Sequence, residues 1–280
     1  MKAAILEQHI DETDFVLVDV ETTGLSAELS DRVCEIGMVK LRGGAVIDTF
    51  GTLIDPQRPI SAGAYAVNGI SPSMLINAPY FSEIADRVWG MMEKTVLVAY
   101  NAPFDLSFLV NEFRLLGYPT ITHHVVDALA IARQLLPGLG RYPQENVARS
   151  MGISSPYMHR ALEDAMITAQ LFTIFCSVLK AYDCSTVNDL SRKDLKRLLL
   201  TKRIQIVNDA LSQRKNLWIK YLSTHNSEIT ERIVSPKEIS NGSFGSKQTS
   251  YLLAYCHTAR AERNFRIDRI LDVRPITALV

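Results

Sequence analysis

Cysteine is scarce in this 280-residue sequence, and its positions form no pattern. The cysteines are Cys34, Cys176, Cys184 and Cys256, and no two of them have the short paired spacing of a zinc knuckle or the regular spacing of a disulfide framework. The sequence therefore predicts neither kind of crosslink. Scattered thiols are typical of a reducing compartment, and we expect a cytoplasmic location.

Long hydrophobic runs are also missing. The N-terminal residues reach an acid at Glu7, which is too early for the apolar core of a signal peptide. An apolar, uncharged stretch at residues 165–179 contains Thr, Gln and Ser and is too short to span a bilayer. We expect a soluble globular protein, because 47% of the residues are hydrophobic and 21% are charged. A length of 280 residues favours two domains.

Net charge is zero, but the charges are unevenly divided. Residues 1–179 carry 12 Lys and Arg against 20 Asp and Glu, whereas residues 180–280 carry 18 against 10. An acidic half followed by a basic half favours a metal-bearing catalytic unit beside a unit that attracts polyanions. Two solvated surfaces of opposite sign would give the same asymmetry, and charge alone does not separate these interpretations.

Two acids interrupt an apolar run near the N-terminus. Residues 15–25 read Phe-Val-Leu-Val-Asp-Val-Glu-Thr-Thr-Gly-Leu, and the β-branched and aromatic residues predict a buried strand. Asp19 and Glu21 are two residues apart, so on a strand they face the same side. Two carboxylates at close range favour a divalent cation, and oxygen ligands favour Mg²⁺ or Mn²⁺. The competing interpretation is a strand end whose acids reach solvent or cap the turn at residues 22–24.

Strand-like and helix-like segments alternate after this stretch. Two β-rich segments, residues 33–41 and 45–54, flank a Gly-Gly pair, which predicts a hairpin. Residues 95–100 and 121–126 predict two further strands, with helical segments between and after them. This alternation favours an α/β architecture.

Two more acids and a histidine follow near predicted helix starts. Asp105 lies in the first turn of a helix after the strand at residues 95–100, where open α/β sheets build their sites. Its alternative role is to stabilise the helix dipole. Asp164 lies in a long helix, and His159 is five residues before it, about 140° away on an ideal helix. Both side chains can face one site if His159 lies in the loop or first turn before the regular helix.

Together these residues resemble the DEDDh 3′–5′ exonuclease family of the proofreading-subunit type. The matching motifs are Asp-Val-Glu-Thr-Thr-Gly-Leu at residues 19–25, Asn-Ala-Pro-Phe-Asp at 101–105 and His-Arg-Ala-Leu-Glu-Asp-Ala at 159–165. The resemblance covers residues 11–180 and implies an α/β, ribonuclease H-like fold, with a mixed sheet flanked by helices. One departure is Tyr100-Asn101, where many members have His-Asn.

The resemblance also implies roles for individual residues. Two ions of Mg²⁺ or Mn²⁺ would be held by Asp19, Glu21, Asp105 and Asp164. His159 would take the proton from the attacking water, since imidazole ordinarily titrates near neutral pH. Two ions bridged by carboxylates suit phosphodiester hydrolysis because they neutralise charge on the departing oxygen. The residues implied to bind the terminal nucleotide are Thr22, Thr23, Gly24, Leu25, Asn101 and Phe104.

The composition shifts near residue 183. Residues 191–203 are dense in Lys and Arg with leucines interleaved, which predicts a basic amphipathic connecting helix or a solvated linker face. Beyond it, short β-like runs resemble the WYL domain, a small SH3/Sm-like β-barrel associated with nucleic-acid or nucleotide sensing. The signature Trp-Tyr-Leu of that family is Ser250-Tyr251-Leu252 here. The runs lie at residues 217–223, 230–234, 251–256 and 265–273.

A ligand or nucleic-acid site is predicted in this second domain. Its candidate residues are Tyr221, Arg232, Tyr251, Arg263, Arg266 and Arg269. The last three are spaced by three residues, so a bulge or turn is needed to put them on one face. If they converge, they suit a phosphate and a stacking base; the alternative is a basic barrel surface.

The sequence thus predicts an exonuclease domain over residues 1–182, a basic helical linker over 183–204 and a WYL domain over 205–280. The expected activity is metal-dependent 3′–5′ release of nucleoside monophosphates. The expected partner is single-stranded or 3′-ended nucleic acid, with DNA favoured over RNA. The alternative is a regulatory sensor of nucleotides or nucleic acid whose exonuclease domain is idle.

Overall fold

The computed structural model describes residues 2–154, 159–223, 228–244 and 247–276. Its strands are β1 (Phe15–Thr22), β2 (Val33–Arg42), β3 (Ala45–Leu53), β4 (Val96–Ala99), β5 (Val125–Asp127), β6 (Asn216–Leu222), β7 (Ile229–Phe244), β8 (Lys247–Cys256), β9 (Ala261–Arg266) and β10 (Ile270–Ile276). Its α-helices are α1 (Lys2–Leu6), α2 (Ala62–Asn68), α3 (Phe81–Met92), α4 (Ala102–Leu115), α5 (Ala128–Leu135), α6 (Gln144–Ser150), α7 (Ala161–Lys180), α8 (Val187–Leu190) and α9 (Leu195–Ser212).

The first sheet is mixed and has the order β3-β2-β1-β4-β5. β2 and β3 form the predicted antiparallel hairpin, and β2 also pairs antiparallel with β1. β1 then runs parallel to β4, and β4 runs parallel to β5. The predicted α/β sheet is therefore confirmed, with the strand that carries Asp19 and Glu21 at its centre.

Side chains of β1 pack on both faces of this sheet. Val16, Val18 and Val20 belong to a buried cluster with residues of α3 and α4. Phe15 meets Phe172 of α7 edge to face, with 4.9 Å between ring centroids. Burial of each such side chain stabilises the fold by about 1.5–3 kcal/mol. This burial explains why β1 is apolar up to its acids.

Two glycines on neighbouring strands make room for the start of α7. Gly37 of β2 lies opposite Asp19 on one side and opposite Gly51 of β3 on the other. A Cβ on Gly37 would lie 2.2 Å from the main chain of Ala161, and a Cβ on Gly51 would lie 2.9 Å from Cβ of Leu162. The first turn of α7 therefore rests on the sheet at a place where a side chain would not fit.

α7 is long and apolar enough to cross a membrane by length and composition alone. It has 20 residues, and its mean hydropathy reaches 1.4 over an 18-residue stretch. However, 61% of that stretch is buried inside the protein. Burial of this kind is typical of a core helix, and the contact with Phe15 agrees with it.

The second sheet is antiparallel and has the order β10-β6-β7-β8-β9. Its buried face carries apolar residues such as Leu217, Ile219, Val234 and Leu252. Among the described residues, β9 and β10 are edges and do not pair with each other. A second β-sheet is thus confirmed, whereas its closure into an SH3/Sm-like barrel stays a prediction.

The chain divides into two compact units, each with one of the sheets. The first comprises residues 1–130, 153–174 and 185–191, and the second comprises residues 131–152, 175–184 and 192–280. The first holds 9 Lys and Arg against 20 Asp and Glu, and the second holds 21 against 10, so their balances are −11 and +11. The charge asymmetry of the sequence follows these units.

Candidate active site

β1 extends beyond its pairing with β4, and Asp105 takes the place of a sheet partner there. The last parallel pair joins Leu17 to Val98. Beyond it, the N–H of Val20 donates a hydrogen bond of 3.0 Å to Oδ1 of Asp105. Asp105 is buried in the first turn of α4. Its carboxylate is thereby fixed beside the two acids at the end of β1.

The turn between β4 and α4 is held by Asp127, the last residue of β5. Asn101 has the left-handed φ of 71° and donates its N–H to Oδ1 of Asp127 at 3.1 Å. The same oxygen accepts the N–H of Leu129 at 3.0 Å. Because Asp127 lies opposite Ala99 of β4, this acid aligns the end of the sheet with the start of α4.

Glu35 holds the segment that precedes α7. It lies on β2 opposite Glu21, and it is 4% exposed. Its carboxylate accepts hydrogen bonds from Nε of Arg160 at 3.0 Å, from Nη2 of Arg160 at 2.7 Å and from the N–H of Ala161 at 3.3 Å. Arg160 compensates the buried charge, and the contacts of Glu35 with Arg160 and Ala161 fix where the helix begins.

His159 lies in the loop immediately before α7, as its spacing from Asp164 requires. Its φ is 64°, and its N–H donates to Oδ2 of Asp164 at 3.1 Å. One ring nitrogen of His159 and carboxylate oxygens of Glu21 and Asp164 lie within 4.8 Å of one another. These atoms are close enough to share one metal ion or one water molecule.

The acids raise one another's pKa values. Burial raises the pKa of Asp19 well above its usual value, and four neighbouring carboxylates add to the effect. The pKa of Glu21 rises from 4.5 to about 7, first through burial and then through the charges of Asp164 and Glu35. A hydrogen bond from Asn68 and the charge of Arg160 act in the opposite direction.

The two acids supplied by helices shift in the same direction. Burial raises the pKa of Asp105 to about 8, although the hydrogen bond from Val20 opposes this rise. The pKa of Asp164 is also raised, mainly by burial, and the N–H of His159 opposes it. A cluster of this kind holds protons unless positive charge is supplied. Its donors are carboxylate oxygens with one imidazole, so the residues present fit hard divalent cations.

A cavity of about 530 Å³ opens beside Glu21. The predicted nucleotide-binding residues that line it are Thr22, Gly24, Leu25 and Phe104. Leu25 is 86% exposed at its rim. A Cβ on Gly24 would lie 2.2 Å from Oδ2 of Asp31, so a side chain at this position would displace Asp31.

Thr23 and Asn101 do not line this cavity. Thr23 is fully buried, and its hydroxyl donates to Oδ1 of Asp31 at 3.2 Å. Asn101 contacts Asp127 instead. Thr23 thus supports the wall of the cavity through Asp31, and Asn101 supports the start of α4.

Asn68 and Glu35 were missed as site residues by reasoning from the sequence. Nδ2 of Asn68 donates to the carbonyl oxygen of Thr22 at 3.3 Å, and the side chain also bonds Glu21. Asn68 ends α2, in an Ala-Val-Asn-Gly-Ile segment that lies within residues 11–180, the range covered by the exonuclease resemblance. The available signal for Glu35 was a single acid inside the apolar run Val-Cys-Glu-Ile-Gly.

Clustered carboxylates beside an open cavity suit metal-dependent hydrolysis of phosphodiesters. The family model of exonucleases, RNase_T, matches residues 16–172, which is more than half of the chain. The chain belongs to the exonuclease family. A WYL domain follows, since the model of that family matches residues 202–275.

Relatives of this exonuclease include DNA polymerase III proteins. The DNA polymerase III subunit epsilon of Treponema pallidum is 38% identical over 196 residues, which covers 69% of this chain and 89% of the relative. The PolC-type DNA polymerase III of Caldanaerobacter subterraneus is 34% identical over 195 residues. That match covers 70% of this exonuclease but 14% of the polymerase.

Solved exonuclease structures share the fold. Exonuclease X in complex with 5′ overhanging duplex DNA has a TM-score of 0.51 and 24% identity, and the match covers 65% of this chain and 99% of that one. The zinc-bound complex of E. coli exonuclease I with single-stranded DNA has a TM-score of 0.54 and 18% identity, over 86% of this chain and 54% of that one. The ribonuclease H-like exonuclease fold is thereby confirmed.

The arginines predicted to bind ligand in the WYL domain do not all lie on one face. Arg263 lies opposite Ala254, and Arg266 lies opposite Tyr251, with no bulge between the two pairs. Because they are three residues apart, they face opposite sides of β9. Arg269 is 8% exposed in the short 3-10 helix before β10. Its guanidinium donates to main-chain oxygens of Gly138 and Ser223, at 3.4 Å each.

Two of the predicted ligand residues contact each other in this domain. The N–H of Arg266 donates to the hydroxyl of Tyr221 at 3.4 Å, and the guanidinium of Arg266 pairs with Asp268 at 2.8 Å. Nε of Arg232 donates to the hydroxyl of Thr230 at 3.1 Å. Tyr221, Tyr251 and Arg266 therefore form one group. Burial raises the pKa of Tyr221, and the charge of Arg269 also acts on this hydroxyl and opposes the rise, while Arg232 and Arg263 have other neighbours.

Proposed function

We propose that this protein is a DEDDh-type exonuclease that shortens nucleic acid from the 3′ end and releases nucleoside monophosphates. The observation that supports this proposal is the meeting of acids from β1, α4 and α7 beside His159. These acids are Asp19, Glu21, Asp105 and Asp164. Their shared rise in pKa indicates a site that requires cations.

These four acids are the residues proposed to hold two Mg²⁺ or Mn²⁺ ions. When bound, the ions supply charge neutralisation at the departing oxygen and activation of water. Glu35 and Arg160 act on this site by position: they fix the start of α7 and so hold Asp164 near β1.

His159 is proposed to accept the proton of the attacking water. Its exposed imidazole can pass that proton to solvent, and its N–H is anchored to Asp164. The 3′-terminal nucleotide is proposed to occupy the cavity beside Glu21, against Thr22, Gly24, Leu25 and Phe104. Thr23 and Asn101 would contribute by supporting this cavity and the start of α4.

DNA is the proposed substrate. The relatives are DNA polymerase III proteins by name, and the similar solved structures contain DNA. The proposed division is a catalytic domain over residues 1–182, a basic linker over 183–204 and a WYL domain over 205–280. The WYL domain is proposed to assist nucleic-acid binding or regulation, because its compact unit carries the basic charge.

The test follows a 5′-labelled DNA strand and a matching RNA strand in Mg²⁺, Mn²⁺ or EDTA. We expect progressive shortening of the labelled strand, no cleavage in EDTA, and no turnover after Asp19→Asn or Asp164→Asn. His159→Ala should lower the rate by about 10²- to 10⁴-fold, the usual effect of losing a general base. Asp48→Asn is the matched control, since Asp48 lies on β3 and pairs with Arg87.

Three outcomes would contradict the proposal. Cleavage that persists in EDTA would exclude the metal mechanism. Immediate release of the labelled 5′ nucleotide would show that the strand is shortened from its 5′ end. Tight DNA binding without any cleavage in either metal would favour the regulatory sensor with an idle exonuclease domain.

A further inference from the structure

A second cavity, a groove of about 850 Å³, lies near the proposed nucleotide cavity in the same compact unit. Its walls are the segments at residues 27–30 and 56–59 and the C-terminal half of α4. The two cavities are joined by an ion pair: Arg58 lines the groove, Asp31 lines the nucleotide cavity, and Nη2 of Arg58 lies 3.2 Å from Oδ1 of Asp31. The proposed hydrolysis makes no use of this groove.

The groove gathers cations in an acidic unit. Its lining includes Arg32, Arg58 and Arg114, which are three of the 9 Lys and Arg in a unit with 20 Asp and Glu. Glu28 is the acid among the lining residues. Counted over the lining residues alone, the balance is +2, opposite in sign to the unit around it, and two of these arginines, Arg32 and Arg58, also pair with acids outside the lining.

The three arginines are engaged differently. Arg32 donates two hydrogen bonds of 2.7 Å to buried Glu112, so its charge is neutralised. Arg58 is oriented by Asp31 and by the carbonyl oxygen of Ser30, contacts that use two of the five N–H donors of its guanidinium. Arg114 donates to the neutral side chain of Asn111 at 2.9 Å. Arg58 and Arg114 are thus the groups suited to meet an anion.

Apolar surface lies between these charges. Leu29 is 79% exposed and Leu115 is 50% exposed, and Pro56 and Pro59 also line the groove. Exposed apolar side chains that gather along a groove are typical of a binding surface. Cations interleaved with apolar side chains suit a nucleic-acid strand, which presents phosphates beside sugars and bases.

The distance between the two cavities can be spanned by a few nucleotides of one nucleic-acid strand. α4 runs from one to the other, since Phe104 lines the nucleotide cavity and Arg114 lines the groove. Ten residues separate them, which is about 15 Å at the helical rise of 1.5 Å per residue. A strand whose terminal nucleotide occupies the cavity reaches the groove within a few nucleotides.

We propose that this groove binds the backbone of the substrate strand a few nucleotides before its 3′ end, with Arg58 and Arg114 contacting phosphates. The proposal rests on the function proposed above, because that function places the 3′ terminus in the neighbouring cavity. The ligand class is a single nucleic-acid strand, and the groove sets how the strand is held.

The test measures binding of 5′-fluorescein oligothymidylates of two and twelve nucleotides to the full chain in EDTA, over a range of salt. In the double variant Arg58→Gln/Arg114→Gln, we expect weaker binding of the 12-mer and a smaller gain in affinity from the dimer to the 12-mer. The slope of log K against log salt should become less negative by about 0.7 for each lost phosphate contact. Arg87→Gln on α3 is the matched control, because Arg87 pairs with Asp48 outside the groove.

Arg114→Glu keeps the test decisive if Arg58→Gln disturbs the fold. Arg114 is exposed on α4, so we expect the Arg114→Glu variant to have the melting temperature of the wild type. Its slope of log K against log salt should become less negative than that of a variant with glutamine at this position. Unchanged affinity and slope in both variants would overturn the proposal and leave the groove to an acidic protein partner. Hydrolysis of thymidine 5′-monophosphate p-nitrophenyl ester by the wild type tests the proposed function separately.

Discussion

Glu35 is a buried acid placed among other acids, and its partner explains why it is tolerated. Opposite Glu21, an unpaired carboxylate would only add repulsion. Arg160 offsets that repulsion and, with the N–H of Ala161, ties β2 to the start of α7. Glu35 therefore helps to position Asp164, because it fixes the start of the helix that carries this acid.

Glu35→Gln should lower both stability and turnover. The variant removes the charge that Arg160 meets, and we expect it to destabilise the fold by about 1–3 kcal/mol, because a buried hydrogen-bonded group loses its charged partner. Turnover should fall because Asp164 is no longer held near β1. Thermal melts and kcat in Mn²⁺ measure the two effects, with Asp48→Asn as the control. A lower melting temperature with unchanged kcat would show that Glu35 has a structural role alone.

Metal-free protein should lose stability as the pH rises toward neutrality. The pKa of Glu21 is about 7 in the folded protein and 4.5 ordinarily, so the folded state binds more protons between these values. Its contribution to stability is present below about pH 4.5 and is lost as the pH rises through about 7. Added Mn²⁺ should therefore raise the melting temperature more at pH 8 than at pH 5.

Asp19→Asn provides the comparison for this pH effect. It removes one of the repelling charges, so in EDTA at pH 8 it should melt above the wild type, and it should gain less from Mn²⁺. Other titrating groups are the same in both proteins, so the difference between them reports the cluster. An equal gain from Mn²⁺ in both proteins would contradict the assignment of Asp19 to the cation site.

At the scale of elements, the packing of the first turn of α7 on Gly37 and Gly51 determines whether Asp164 comes close to the acids of β1. Gly37 lies opposite Asp19, and the main chain of Ala161 occupies the space where a side chain would stand. Two glycines that face each other on β2 and β3 thus let a helix reach the strand that carries the first two acids.

Gly37→Ala should displace the start of α7. Its Cβ would meet main-chain atoms at 2.2 Å, which a side-chain rotation cannot relieve. We expect a loss of about 1–3 kcal/mol of stability, the usual range for overpacking, and a large fall in kcat. Gly90→Ala on α3 is the matched control: its Cβ meets nothing within 4 Å, and it should stabilise the helix by about 0.5–1 kcal/mol without affecting kcat. Equal kcat in the two variants would contradict this role of Gly37.

Local pattern predicted the strands and the hairpin, and it was weakest where a distant partner decides the outcome. The strand predicted at residues 121–126 is observed at Val125–Asp127, because β4 is four residues long and offers β5 three partners. The basic helix predicted from residue 191 begins at Leu195, after the separate turn of α8.

The candidate site shows the same difference between what local sequence pattern predicts and what distant contacts decide. Alternation along β1 predicts that Asp19 and Glu21 share a face, because that relation is local. The contacts of Glu35 and Asn68 join residues distant in sequence, and no local spacing encodes them. The separation of Arg263 from Arg266 follows from a regular β9, whereas the sequence left open a bulge that would have united them.

At the scale of the whole molecule, the balances of −11 and +11 in the two compact units bear on substrate capture. We expect the acidic unit to repel a polyanion except at the proposed cation site and at the groove near Arg58. We expect the basic unit in the same chain to raise the local concentration of nucleic acid without contacting the scissile bond.

Neutralising exposed bases of the second unit should weaken capture more than chemistry. Lys196→Gln, Arg197→Gln and Arg263→Gln together should raise KM on long strands and flatten the salt dependence of binding by about 0.7 in slope for each lost contact. Turnover at saturating substrate should stay close to that of the wild type. KM measured against salt for the triple variant and for Arg87→Gln checks this. Identical salt slopes would contradict a role of this unit in capturing nucleic acid and would favour a protein partner or a small ligand.

The hydrogen bond from Val20 to Asp105 makes one backbone amide a spectroscopic reporter of the whole site. The resonance frequency of an amide proton depends on the charge of its acceptor, and the acceptor here is a carboxyl whose pKa is about 8. In EDTA, the Val20 signal should therefore move with pH near that value. In Mn²⁺-free buffer with Mg²⁺, it should hold one position across the same range. Ionisation of Asp105 can thus be read by nuclear magnetic resonance from the backbone of a neighbouring strand.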